Sequence, residues 1–355
     1  MVTKVRLTSY KSIPTSSVVL GALTFLVGRN GAGKSNFIDA LEFIHDAVDT
    51  NLDAAIRAHG SPGSIRRVGS TEVGISVSVG VPGREVSYSL SLVMPDNSYE
   101  VMAEELRAPS SEPLTLALPG AHLRVLSLPA GAVASEDAKT MYDFLRSMRF
   151  YDFSLPAMRE LQDPSEGTLL RSDGANLAGV VGRLESTDSS RYERLHEYMS
   201  AILPGLKRVK SELLGPKEAL RFEMNTGQFY AQHMSTGTLL ALAVLTTLFQ
   251  TADQSGQPPT LVALEEPERA LHPAAVSVLL DAMVEASADR QVIVTTQSPD
   301  LLDRKDVAAD NIRAVVSSDA GTAIGPLGEN ARRVMAEHLF TAGELVKLDQ
   351  LAPNE

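Results

Sequence analysis

The stretch Gly28-Arg29-Asn30-Gly31-Ala32-Gly33-Lys34-Ser35 fits the pattern G-x-x-x-x-G-K-[ST] at every position. It follows Val18–Val27, an apolar and β-branched run that reads as a strand. Behind it Phe37, Ile38, Leu41 and Ile44 recur at helical spacing, which predicts a helix over about 34–47. Strand, glycine-rich loop and helix thus come in the order that makes a phosphate cradle. Glycines let the backbone turn tightly and aim its N–H groups at phosphate oxygens, and the helix N terminus adds a favourable field. On this pattern Lys34 reaches the β- and γ-phosphates and Ser35 ligates a metal ion, so ATP and Mg2+ are the expected cofactors.

Working outward, Val5–Ile13 reads as an earlier strand. From Thr71 to about Leu128, alternating stretches such as VGISVSVGV and EVSYSLSLVM, broken by Pro and Gly, predict antiparallel hairpins. Helical patterns dominate between about Ser135 and Leu203, notably 138–148 and 192–203. Two strand-like runs, 208–214 and 219–224, then precede a long apolar helix through Leu239–Phe249. That helix is too short and too rich in threonine to span a bilayer, and reads as buried. The final third alternates strand and helix: strand 260–264, helix 273–286 with Val276, Leu279, Leu280, Met283 and Val284 on its apolar face, strand 291–295 and strand 312–316. Such alternation implies a parallel sheet. The expected organisation is a nucleotide-binding lobe from 1–134 and 251–330, a mainly helical lobe from 135–250, and a helical tail from 331–355.

A chain of 355 residues can bury a sizeable core, and the absence of cysteine excludes disulfides, thiol catalysis and cysteine-based metal centres. The N-terminal MVTKVRLTSYKSI lacks the apolar core of a signal peptide, so a cytoplasmic protein without a membrane anchor is expected. A net charge of -12 argues against coating nucleic acid by bulk electrostatics. A local basic groove for DNA stays open, with Arg66-Arg67, Lys207-Arg208-Lys210 and Arg332-Arg333 as its candidates.

A second motif, Leu261-Val262-Ala263-Leu264-Glu265-Glu266-Pro267-Glu268, delivers acids at the end of an apolar strand. In P-loop enzymes the first such acid holds the magnesium shell and the next polarises the attacking water, which assigns Glu265 and Glu266 respectively. Together the motifs resemble the ABC-type ATPases of the SMC, RecF and OLD group, especially its standalone AAA-like bacterial branch. Ser9-Tyr10-Lys11-Ser12-Ile13 is similar to the group's N-terminal signature and Gly28–Asn36 to its GxNGxGKSN. Tyr151-Asp152-Phe153 with Arg159, and Ser172–Leu177, are similar to connecting motifs. Glu265–Pro273, EEPERALHP, is the most specific match.

The resemblance implies an ABC-type α/β head with a mainly parallel sheet, an antiparallel elaboration and a helical lobe. Arg29, Asn30, Gly31, Ala32, Gly33, Lys34, Ser35 and Asn36 would hold nucleotide, Ser35 and Glu265 the metal, and Glu266, Lys34 and Gln297 would be catalytic. Ser235 and Gly237, in Met234–Thr238, stand at the signature motif, which in the group meets the γ-phosphate of a second subunit; as a plain reading, Ser235 is a helix cap. Ala270–Pro273 resembles the D-loop. Thr295–Pro299 stands where a histidine switch is common, yet this chain has Gln297, which cannot carry histidine's positive charge; slow turnover is expected. No glutamine matches the lobe-connecting loop well, Gln162 being the nearest. Lys11 stands either beside the base or phosphates of the nucleotide or on an exposed strand.

The leading expectation is an ATP-gated homodimer that controls an effector on another chain, in phage defence or DNA metabolism. Alternatives are a RecF-like DNA-repair ATPase, a slow or non-hydrolysing nucleotide-dependent scaffold, a transporter cassette, whose signature normally has paired glycines, and, most distantly, a small-molecule kinase.

Overall fold

The computed structural model describes residues 1–108, 114–117, 136–164, 169–251, 258–304 and 307–354. The chain divides into two units, 1–148 with 305–355, and 149–304.

The first unit opens with β1 (Val2–Tyr10), β2 (Ile13–Val19) and β3 (Leu23–Val27). The two strands read from the sequence are therefore three. Ser9 and Lys11 take left-handed φ of 53° and 46°, folding the chain so that Tyr10 pairs with Ile13. After the phosphate loop come α1 (Lys34–Asp49), α2 (Leu52–Ala58) and α3 (Pro62–Ile65). The chain continues through β4 (Glu72–Val81), β5 (Arg84–Val93), β6 (Glu100–Arg107), β7 (Leu114–Ala117) and α4 (Glu136–Arg146). An antiparallel sheet runs in the order β2-β1-β4-β5-β6-β7, in which β4–β7 are the predicted hairpin region as far as Ala117; the part of that prediction over 118–128 lies outside the described residues. Alternation sets its buried face, with Val73, Ile75, Val77 and Val79 on β4 and Val86, Tyr88, Leu90 and Leu92 on β5.

The second unit begins with β8 (Met148–Tyr151), α5 (Leu155–Arg159), α6 (Leu177–Thr187) and α7 (Ser189–Ile202). A three-stranded antiparallel sheet follows from β9 (Leu206–Leu214), β10 (Lys217–Met224) and β11 (Gly227–Tyr230). Then come α8 (Thr236–Phe249), β12 (Leu261–Glu265), α9 (Pro273–Ala286), β13 (Gln291–Thr296) and α10 (Pro299–Leu302). β12 and β13 run parallel, as the α/β texture predicted. On α9 the inward face holds the expected Val276, Leu279, Leu280 and Met283, but Val284 is half exposed because small Ala282 and Ala286 complete that face.

In α8 every residue from Gly237 to Phe249 is buried, and Thr246 and Thr247 satisfy their hydroxyls on the helix's own carbonyls of Leu242 and Val244. Its C-terminal carbonyls are met by Arg290, which donates to Thr247 O and Gln250 O at 3.3 and 3.2 Å. Burial, with the charge of Arg191 adding, brings that guanidinium down to about 10. Among the described residues no helix is long and apolar enough to cross a membrane.

The chain re-enters the first unit with β14 (Ile312–Ser318), β15 (Gly321–Pro326), α11 (Glu329–Ala336) and α12 (Ala342–Lys347). β14 lies parallel to β3 and antiparallel to β15, so the phosphate-loop strand is flanked by sequence almost 300 residues downstream.

A charged cluster secures α1. Asp39 receives hydrogen bonds from Tyr10, from Lys11 Nζ at 2.6 Å and from His59 Nδ1 at 2.9 Å, while His59 Nε2 reaches Asp46 at 3.1 Å. With a carboxylate on each nitrogen, the ring is satisfied as an imidazolium. Burial alone would lower the His59 pKa, but hydrogen bonds to Asp39 and Asp46 outweigh it and lift it to about 9. Burial would likewise raise Asp39, yet its three donors hold it below the usual carboxylate range. Because His59 titrates higher folded than unfolded, its contribution is complete below pH about 6.5 and disappears as pH rises through about 9. Asp39 contributes oppositely, fully above pH about 3.8 and progressively less below it. Urea unfolding between pH 6 and 10 should show wild type losing on the order of 3 kcal/mol across that window, a slope that His59→Gln flattens; parallel profiles would refute the assignment.

Candidate functional site

The phosphate loop is built by close approach. A Cβ on Gly28 would lie 2.2 Å from Val315 O of β14, and one on Gly33 2.4 Å from Thr322 Oγ1 of β15. Gly33 also has φ of 104°, which L side chains seldom adopt. Lys34 is 6% exposed and its ammonium spans the loop, donating to Gly28 O at 2.9 Å and Arg29 O at 3.0 Å. Helix α1 starts at Gly33 with no side-chain cap and no acid in its first turn, so nothing negative competes there with a phosphate. Ser35 is exposed at this end and Asn36 half-buried.

A hydroxyl chain supports the loop from beneath. Thr322 Oγ1 donates to Ala32 O at 2.9 Å and lies 2.7 Å from Ser12 Oγ, which in turn accepts from Asn36 Nδ2 at 2.6 Å. The N-terminal signature residue Ser12 thus acts on the loop's own support. Lys11 stands in the β1–β2 turn, paired with Asp39. Arg29 points outward into an exposed ion pair with Asp349 at 2.7 Å, and Asn30 and Gly31 are exposed.

In the second unit, β12 ends at half-buried Glu265. Glu266 follows with φ of 41°; it precedes Pro267, which disfavours the ordinary helical region. Holding a non-glycine residue there costs roughly 1–2 kcal/mol. Its N–H is fixed by Thr295, at 3.1 Å from the carbonyl and 3.2 Å from the hydroxyl. One turn on, Glu268 is buried and accepts from the Thr296 hydroxyl. The corner therefore brings Glu265, Glu266 and Glu268 together with the Thr295–Ser298 segment and half-buried Gln297.

The signature segment is in the same unit. Ser235 caps α8, its Oγ accepting from Thr238 N at 3.1 Å, and the residue is exposed. Gly237 permits direct contact with the D-loop, for a Cβ there would stand 2.5 Å from Ala270 O. Ala270 itself has φ of 63°. Arg159 donates to Met234 O and Thr236 Oγ1, both at 3.3 Å, which gives that connecting-motif arginine a place under the signature. His272 caps α9 through Nδ1. Gln162 is buried, with its carboxamide oxygen on Ala178 N at 2.9 Å, so it serves the first turn of α6. Ser172–Leu177 forms the turn into α6, with Asn176 bonding Arg171 N and Leu169 O.

Residues 23–303 match the family described as "AAA domain, putative AbiEii toxin, Type IV TA system". The chain belongs to this family. Among solved structures it is similar to a Smc head bound to the C-winged helix domain of ScpA, at 16% identity over 93% of this chain and 99% of that one, with a TM-score of 0.60. A Smc head with an extended coiled coil, bound to the C-terminal domain of ScpA and derived from Pyrococcus furiosus, is 14% identical over 95% and 99%, with a TM-score of 0.55. No curated protein matches the chain. The fold that the motifs led one to expect is upheld: an AAA domain by family, the chain has the fold of an SMC head.

The hydroxyl support makes its own prediction. Thr322→Val removes the bonds to Ala32 O and Ser12 while keeping the side chain's shape, and should weaken affinity for a fluorescent ATP analogue about tenfold, the worth of one to two hydrogen bonds. Unchanged affinity in a folded variant would show that the chain of hydroxyls is idle.

Proposed function

We propose that the protein binds and hydrolyses ATP with magnesium, and that nucleotide closes two copies head to tail, a state read by an effector on another chain. The observation that supports this most is the loop itself: an uncapped helix N terminus, an inward lysine and a glycine cradle with no room for side chains, in a family of AAA domains.

The residues divide the work. The backbone of Gly31–Ser35 and the Lys34 ammonium bind and orient the phosphates and offset charge that builds on them. Magnesium, when bound, would offset negative charge on the phosphates, and Ser35 and Glu265 would hold it. Glu266, on a fixed backbone, takes a proton from the attacking water. Gln297 donates a hydrogen bond but no full charge, which favours slow turnover. Ser235 and the first N–H groups of α8 meet the partner copy's γ-phosphate.

The basic clusters weigh against a DNA-binding reading. Arg208 is paired with Glu185 and Glu193, Lys210 with Glu223 and Arg332 with Asp310, while Arg66 and Arg67 are turned onto the carbonyls of Ser70 and Ala320. The family's description, with its "putative AbiEii toxin, Type IV TA system", suits an ATPase that works alongside a companion protein.

With saturating ATP and magnesium, Glu266→Gln should bind nucleotide, release phosphate at least a hundredfold more slowly than wild type, and run as a dimer in size-exclusion light scattering. Ser235→Arg should bind ATP and stay monomeric. A strictly monomeric Glu266→Gln protein would sink the dimer, and undiminished phosphate release would remove Glu266 from catalysis.

A further inference from the structure

The acid corner contains one buried carboxyl that the proposed hydrolysis leaves without a task. Glu268 lies two residues beyond Glu266 and is 8% exposed. Its Oε1 accepts from the Thr296 hydroxyl. Its Oε2 is buried and has no hydrogen-bond partner among the described residues. A carboxylate oxygen left that way is costly, and protein chains rarely keep one without use.

The surroundings suggest the use. Thr296 Oγ1 also accepts from Ser298 N at 3.0 Å, so one hydroxyl fastens both neighbours of Gln297. Immediately before it, Thr295 fixes the Glu266 N–H. The Glu266 turn and the Gln297 loop are thus sewn together twice, once by backbone and once by Glu268. Burial pushes the Glu268 carboxyl up, against the opposing hydrogen bond of Thr296, and the nearby charge of Glu266 adds to the rise. The Thr296 bond needs only an acceptor oxygen at Oε1, which a carboxamide supplies as well as a carboxylate.

We infer that Glu268 is a positioning residue: its bond to Thr296 ties the turn bearing Glu266 to the loop bearing Gln297, and the side chain needs no negative charge to do so. This rests on the hydrolytic reading above.

The test compares Glu268→Ala, Glu268→Gln and Thr296→Val with wild type and Glu266→Gln, measuring phosphate release across ATP concentrations, nucleotide affinity and melting temperature. Glu268→Ala should lower kcat ten- to a hundredfold with affinity for ATP unchanged, as expected when reacting groups shift by about an ångström. Thr296→Val should match it, and combining the two should add nothing further. Glu268→Gln keeps the acceptor without the charge and should stay within about threefold of wild type. Equal losses in Glu268→Gln and Glu268→Ala would overturn the uncharged role, and an unchanged kcat in folded Glu268→Ala would overturn the tie itself. If Glu268→Ala does not fold, Glu268→Gln against Thr296→Val decides the matter: parity of the two refutes the inference. A wild type that releases no phosphate would instead defeat the hydrolytic reading, whereas activity lost in Glu266→Gln but intact in every Glu268 and Thr296 variant would defeat this inference alone.

Discussion

Lack of room governs the phosphate loop. The carbonyl of Val315 and the side chain of Thr322 stand so near Gly28 and Gly33 that no other residue type fits either position. The glycines are therefore needed for packing as much as for the turn, and the loop's shape is impressed on it by β14 and β15. Close packing of this kind is what makes backbone N–H groups point the same way in every molecule, which is the condition for electrostatic preorganisation.

The second unit reaches rigidity by other means. It spends two left-handed residues, Glu266 and Ala270, within five positions and restrains them with side-chain hydroxyls and a glycine contact. Such backbone is unfavourable in isolation and survives where its surroundings over-determine it. Arg290 serves the same end, supplying donors to the carbonyls at the buried C-terminal end of α8, where water does not reach.

What the sequence disclosed follows from which forces are local. The phosphate loop, the EEPERALHP corner, the hairpin region and α9, with its bounds, were legible because periodicity and turn residues lie in the chain itself. The turn at Lys11 was not, since neither Ser9 nor Lys11 advertises positive φ, and one apolar run concealed a break at Leu20-Gly21. Strands β11 and β15 were missed because they are short and carry glycine, which weakens the strand signal. The supporting groups were hidden for a stronger reason. Thr322 is 290 residues from the carbonyl it holds, and Glu268 looks like an ordinary surface acid until burial and Thr296 are seen. Asp39 and His59 likewise pair across a gap that no spacing rule describes.

The return of β14 to lie beside β3, with β15 on its far side, also bears on how the protein is made. A ribosome delivers the phosphate loop early, but its walls arrive only after the entire second unit has been synthesised. Until then β3 has an open edge and the loop has no reason to adopt its final shape, while the 149–304 segment is contiguous and free to fold on its own schedule. Nucleotide capture thus becomes a late event in the life of each new chain, and a nascent protein stalled before β14 would be an assembled framework with an unfinished grip.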